Sequence, residues 1–242
     1  RSRSWSDCCK CNEEKEVILK MKKLKNKTLK IYLFRHGQST YNKEEKFTGW
    51  HNPSLTRLGI KQAREVAKKL KDKKFEIAIC SRLKRSKQTL NEVLKYHKEC
   101  GKIIEDSRII ERNYGVMNGT NHEDYIKNMG EKLYKLEVHG DMIGDLNEKG
   151  RKEVEKFLGE AEYNLIHRGY NVPPPGGESF AMVEKRVGGF IKHLLKMMKK
   201  EKVNVAISAH GNSIRLFRKI MEKASIEETI KWIIPYDDYY EY

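Results

Sequence analysis

The chain has 242 residues, enough for one α/β domain with a sizeable core. No apolar stretch in it reaches the ~20 residues that span a bilayer, and no apolar signal core opens it. Hydrophobic residues make up 38% and charged residues 35%, so the composition is that of a soluble, cytoplasmic globular protein, not a disordered one. The formal net charge of +16 comes from 50 basic and 34 acidic residues, and the lysines are spread over nearly every predicted helix. A polyanion binder gathers such charge on one face, so neither a nucleic-acid nor a membrane partner is expected.

Residues 1–27 read as a lysine-rich extension in front of a single domain over 28–242. Val17, Ile18, Met21 and Leu24 share one face if this stretch is helical. Cys8, Cys9 and Cys11 lack the second ligand cluster that a structural zinc needs. With an odd cysteine total, reduced thiols are the expected state.

From Lys30 the pattern alternates. Ile31–Phe34 is continuously apolar, the signature of a buried strand. Thr56 to Leu70 carries Ala63, Val66, Ala67 and Leu70 at helical spacing. Ile77–Cys80 predicts a second strand, Leu83 to about His97 a helix, and Ile103–Ile104 a short strand leading into a loop over 111–119. The charged stretch from His122 to Tyr170 reads as mostly helical, with Val154, Phe157, Leu158, Ala161 and Leu165 along one apolar face. Pro173-Pro174-Pro175-Gly176-Gly177 breaks the chain, and Ser179 is placed to cap the next helix. Val203–Ile207 predicts a strand, and Ile214, Phe217 and Met221 mark a helix before a short tail. Such alternation implies a mostly parallel central sheet with helices on both faces.

Two histidines stand out in that layout. Arg35-His36-Gly37 follows the first apolar run, and Ala209-His210-Gly211 follows the late one. A lone histidine at a strand end is more often structural. Two in matching contexts, one beside an arginine, read as one site at the carboxyl ends of a parallel sheet.

The residues around them resemble a known family. Arg35-His36-Gly37-Gln38-Ser39-Thr40-Tyr41-Asn42 is similar to the opening signature of the histidine phosphatase superfamily. Phe47-Thr48-Gly49-Trp50, Leu55-Thr56 with Gly59, Ser81 to Arg85, Glu111 to Gly115 and Ala209 to Arg215 follow in order and resemble the cofactor-dependent phosphoglycerate mutase branch. The resemblance implies the phosphoglycerate mutase-like α/β fold, with a helical lid inserted over about 120–175. It implies His36 as the nucleophile that carries the phosphoryl group, with Arg35, Arg85 and His210 as its cationic cradle. Glu111 takes the part of general acid/base. Asn42, Thr48, Gly49, Arg112, Tyr114, His122 and Asn212 fall where the family contacts phosphate or the rest of the substrate. Gly37 is read as leaving room for the backbone to approach phosphate.

By the same resemblance the reaction is 2,3-bisphosphoglycerate-primed interconversion of 3-phosphoglycerate and 2-phosphoglycerate, a step of glycolysis and gluconeogenesis. No metal and no nucleotide is implied, the partner is a small anionic phosphorylated substrate, and a homo-oligomer is compatible. The alternative is a phosphatase of a small phosphometabolite in which water resolves phospho-His36. Several positions depart from the mutase pattern. Asn113 replaces a usual histidine, His122 a usual lysine, and Val138-His139 aligns with a usual arginine pair on the lid. Pro175 to Ser179 looks more like the phosphatase members.

Overall fold

Strands β1 (Ile31–Arg35) and β4 (Val205–Ala209) lie side by side and parallel in the middle of a five-stranded sheet, in register from Ile31↔Val205 to Arg35↔Ala209. In the computed structural model, which describes residues 28–139 and 146–242, β2 (Ile77–Cys80) flanks β4 and β3 (Lys102–Glu105) forms one edge. β5 (Tyr239–Glu241) closes the other edge antiparallel to β1. The order is therefore β3-β2-β4-β1-β5, mostly parallel as expected. The extension over 1–27, with its three cysteines and its Val17–Leu24 face, lies outside the described residues.

Strand alternation divides the core into two layers. Ile31, Leu33, Ile77, Ile79, Val205 and Ile207 face helices α6 (Phe180–Glu201) and α7 (Gly211–Glu222). Tyr32, Phe34, Ala78, Cys80 and Ala206 face α2 (Arg57–Leu70) and α3 (Lys84–Leu94). The helices start where the sequence supplies caps: Thr56 accepts from Gly59 N and Ser179 from Met182 N. A single turn, α1 (Thr40–Lys43), is closed by a reciprocal Ser39–Asn42 capping box. Short α8 (Ile226–Lys231) precedes the last strand.

Helices α4 (His122–His139) and α5 (Glu148–Arg168) pack against each other as a hairpin. Their contact corrects the expected face of α5. Phe157 and Leu165 are 69% and 49% exposed, whereas Gly159 and Ile166 are buried. The reason is a glycine crossing: a Cβ on Gly159 would stand 2.0 Å from Ile126 O, and one on Gly130 1.9 Å from Glu155 O. The backbones meet there, so small residues and not the large apolar ones define the interface. Two further corrections concern ends. The β4 strand runs two residues later than Val203–Ile207, because pairing with β1 fixes it. The C-terminal stretch read as a tail is an edge strand, whose Tyr239 ring meets Tyr32 edge-on at 6.1 Å. Among the described residues no helix is long and apolar enough to cross a membrane.

Candidate active site

Pairing of β1 with β4 brings the two histidines together. His36 N donates to Ala209 O at 3.1 Å just past the last paired residues, and the His36 and His210 rings lie 4.9 Å apart. Arg85 reaches them from the first turn of α3, and Glu111 from the loop after β3. His36, Arg85 and Glu111 line one cavity of about 160 Å³ with Arg35, Asn42, Thr48, Gly49, Tyr114, His122 and Asn212, and His210 adjoins it through the His36 ring.

The hydrogen bonds around His36 determine which nitrogen is free. Nδ1 lies 2.7 Å from Gly37 O, which can only accept, so Nδ1 carries the proton. Nε2 then holds the lone pair and accepts from Arg85 Nε at 3.2 Å. Arg85 is fully buried, and its other nitrogens donate to His51 O at 2.8 Å and Gly49 O at 2.9 Å, which aims it. Gly49 adopts φ +44°, and a Cβ there would meet Asn118 Oδ1 at 1.8 Å, so this carbonyl is presented by a turn that glycine suits. Burial pushes the His36 pKa well below its ordinary value, and Arg85 and Arg35 push it further. The imidazole is therefore neutral and nucleophilic at pH 7. Burial also brings the Arg85 guanidinium down to about 10, which still leaves it charged.

His210 is fully buried, its Nε2 lies 2.6 Å from Ser81 Oγ, and its Nδ1 has no hydrogen-bond partner. Burial, then Arg85 and His36, lower its pKa as well. A buried polar atom left unpaired beside a cationic cavity fits contact with an oxyanion. Glu111 Oε1 accepts from Arg112 N at 2.8 Å and Asn212 N at 3.2 Å. The Glu111 loop is further held by Trp50 Nε1, which donates to Glu111 O at 2.8 Å, and by Arg186, which donates to Ile110 O and Glu111 O. Arg186 is itself paired with Glu178 at 2.9 Å.

Over residues 31–141 and 142–240 the sequence matches the histidine phosphatase superfamily (branch 1). The chain belongs to the histidine phosphatase superfamily. It is 35% identical over 208 residues to a 2,3-bisphosphoglycerate-dependent phosphoglycerate mutase of Parvibaculum lavamentivorans, covering 83% of each chain. Its fold is similar to that of a putative α-ribazole-5'-P phosphatase from Escherichia coli (TM-score 0.66, 19% identity, 88% of this chain and 90% of that one). It is also similar to a phosphoglycerate mutase from Bacillus anthracis (TM-score 0.59, 23% identity, 81% and 80%).

Most of the expected residues line the cavity; His210 and Arg112 do not, although the His210 ring still packs against His36. Arg112 is fully buried and does not line it. Its guanidinium donates to Glu178 O at 2.6 Å, Ile166 O at 2.7 Å and His167 O at 3.2 Å. Arg112 ties the end of α5 to the Glu111 loop instead of facing substrate. A Cβ on Gly37 would stand 2.1 Å from Gly59 O, so this glycine also serves the packing of the His36 loop on α2.

The sequence carries no pocket signal for Lys46, His167 or Arg215, and it offers Arg151, Lys152 and Arg168 as basic residues of the lid stretch that could stand in for the missing arginine pair. Lys46, His167, Arg168 and Arg215 all line the cavity. The other two substitutes are engaged on the surface, Arg151 with Glu155 and Lys152 with Glu148. The hairpin thus supplies the adjacent pair His167-Arg168, while the side chains of Val138-His139 lie outside the described residues. The signal available was the basic dipeptide shortly before the proline break, at the end of a helix whose last residues line the cavity.

Ligand-type atoms of His36, Glu111 and His210 lie within 4.8 Å of one another. Among the described residues, five cations, Arg35, Lys46, Arg85, Arg168 and Arg215, line the same cavity against one carboxylate, that of Glu111. Repulsion among like charges opposes a divalent cation there, and the set as a whole suits a multiply charged anion.

Proposed function

We propose that this histidine phosphatase is a 2,3-bisphosphoglycerate-dependent phosphoglycerate mutase in which His36 carries the phosphoryl group. The observation that supports this reading is a cavity with more cations than one phosphoryl group needs. Arg85 and Arg35 act on His36 and the His210 ring lies 4.9 Å from it, while Lys46, Arg168 and Arg215 line the same cavity. A phosphomonoesterase needs the first set alone. A mutase must also hold the acidic group that is not being transferred. The mutase relatives at 31–35% identity favour the same choice.

His36 Nε2 attacks phosphorus as the bond to the leaving oxygen breaks, and Nδ1–H stays bonded to Gly37 O, steadying the imidazolium that forms. Arg85 Nε shifts its donation from Nε2 to a phosphoryl oxygen, and the unpaired His210 Nδ1 and Arg35 Nε add donors. Glu111 Oε2 gives the leaving oxygen its proton and takes it back from the acceptor hydroxyl. 2,3-Bisphosphoglycerate, when bound, supplies the phosphoryl group that primes His36, and the two cation sets are the residues to hold it.

One feature supports a phosphatase component. His122 and His167 have lowered pKa values, the latter down to about 3, through burial first. These uncharged rings hold an outer anion less firmly than cations do, which gives water time to resolve phospho-His36. The deciding assay supplies 3-phosphoglycerate with trace 2,3-bisphosphoglycerate and compares 2-phosphoglycerate formed with phosphate released. Isomerisation outpacing hydrolysis, with acid-labile protein label lost in His36→Ala, is expected. Hydrolysis with no 2-phosphoglycerate overturns the mutase reading.

A further inference from the structure

Three of the cavity's guanidiniums come from three different elements yet end on one short stretch of backbone. Arg168, closing α5, donates to Ile230 O at 3.3 Å. Arg215, on α7, donates twice to Trp232 O at 3.1 and 2.9 Å. Arg35, ending β1, donates to Ile234 O at 2.8 Å. Trp232 and Ile234 are two apart, as suits extended chain, where alternate carbonyls point the same way. Trp232, at φ −63° and ψ 136°, starts that extended run as α8 ends. Ile230 lies in the last turn of α8, where a helix leaves its carbonyls without internal partners, so Arg168 meets an acceptor that needs it.

The stretch then delivers Tyr236. Its ring centroid lies 3.9 Å from Arg35 Cζ and 6.4 Å from the His36 ring centroid, yet Tyr236 is not one of the cavity's lining residues. A planar guanidinium laid on an aromatic face keeps its plane and loses rotational freedom. Arg35 is thus fixed at one nitrogen by the Ile234 carbonyl and across its face by Tyr236, while its buried Nε stays unpartnered.

We propose that residues 230–236 form a positioning strap for the phosphoryl site, with Tyr236 as the positioning residue that holds Arg35 against His36. This rests on reading His36 as the phosphoryl carrier. Tyr236 does not line the cavity, and although its ring faces that of His36 at 6.4 Å, its closest ring contact is with Arg35, through which it acts. The strap also joins the hairpin to the cradle, because Arg168 and Arg35 bind the same segment.

The experiment compares Tyr236→Leu with Tyr236→Phe in the full chain, reading orthovanadate affinity, kcat and KM separately, the pH profile, and Tm. Loss of the aromatic face in Tyr236→Leu is expected to weaken vanadate binding about tenfold. It also moves the acid limb of kcat/KM to higher pH. The groups facing His36 are Arg35, Arg85, His210, Glu111 and Tyr236, and a loosened Arg35 no longer opposes protonation of the imidazole. Tyr236→Phe keeps the ring and behaves as wild type. Wild-type vanadate affinity in Tyr236→Leu, equal damage in Tyr236→Phe, or an unmoved acid limb despite lost activity each overturns the proposal. If Tyr236→Leu does not fold, Tyr236→Met carries the same test. His36→Ala, assayed in parallel, separates the two levels: retained turnover there sinks the reading of the site, whereas a dead His36→Ala beside a normal Tyr236→Leu sinks only the strap.

Discussion

Replacing His167 by arginine tests the outer end of the cavity. The His167 ring sits among Tyr163, His122 and Phe47 at centroid distances of 4.8, 5.6 and 5.7 Å. Burial, with Arg168 beside it, holds its pKa down at about 3, so at neutral pH it adds no charge. A neutral hydrogen bond to a substrate anion contributes about 0.5–1.5 kcal/mol and one from a guanidinium about 1.5–3 kcal/mol. The difference of ~1–1.5 kcal/mol is roughly a five- to tenfold gain in affinity. Repulsion from Arg168, Arg112 and Arg215, the cations that already depress His167, offsets part of it. His167→Arg is therefore expected to lower KM for 3-phosphoglycerate roughly threefold to fivefold. The ratio of phosphate released to phosphoglycerate isomerised falls in parallel, because a better-held anion leaves less time for water. Initial rates with trace 2,3-bisphosphoglycerate, with free phosphate measured in the same samples, give both numbers. An unchanged or higher KM in a variant of normal Tm refutes the argument that the hairpin's cations grip the substrate.

Arg112→Ala strips the donor from three carbonyls and is expected to cost at least ~3 kcal/mol of stability by urea unfolding. Full stability with only a raised KM means that Arg112 contacts substrate after all. Gly59→Ala places a Cβ 2.1 Å from Gln38 O, so the nucleophile loop must shift. A loss of ~1–3 kcal/mol with a fall in kcat is expected, and a variant with normal kcat contradicts it. Stability should fall steeply below pH 6.5. His36 and His210 have folded-state pKa values well below 6.5, so the unfolded chain binds protons that the folded chain refuses. The slope approaches about 2.7 kcal/mol per pH unit for these two, and the likewise depressed His167 adds about half as much again. Denaturant unfolding between pH 7.5 and 5.5 measures it, and His210→Gln should remove about a third. A flat profile shows that these rings protonate freely in the native state.

The strands β1, β2 and β4 were legible because each is buried on both faces and so is continuously apolar, a pattern written locally. The nucleophile region was legible for the same reason: His36 and His210 follow such runs directly, and the ordered blocks around them are short and contiguous. The face of α5 was not, since glycine-on-backbone contact between Gly130 and Gly159 hides the interface from any hydrophobic count. β5 was missed because Tyr239-Tyr240-Glu241 at a sheet edge is half exposed and carries no apolar run.

The sequence by itself singled out the residues that could do chemistry, because His36 and His210 stand beside strand ends and Arg85 and Glu111 lie in short contiguous blocks of recognisable residue type. Only the tertiary structure decided where the remaining arginines point. Arg112, Arg168 and Arg215 are indistinguishable as letters, each a long cationic side chain in a charged stretch. What separates them is which carbonyls wait within reach. Arg112 meets the end of α5 and is taken out of the cavity. Arg168 and Arg215 meet Ile230 and Trp232 and stay in its lining. A buried guanidinium goes where backbone acceptors need donors, and those acceptors come from parts of the chain that only folding brings together.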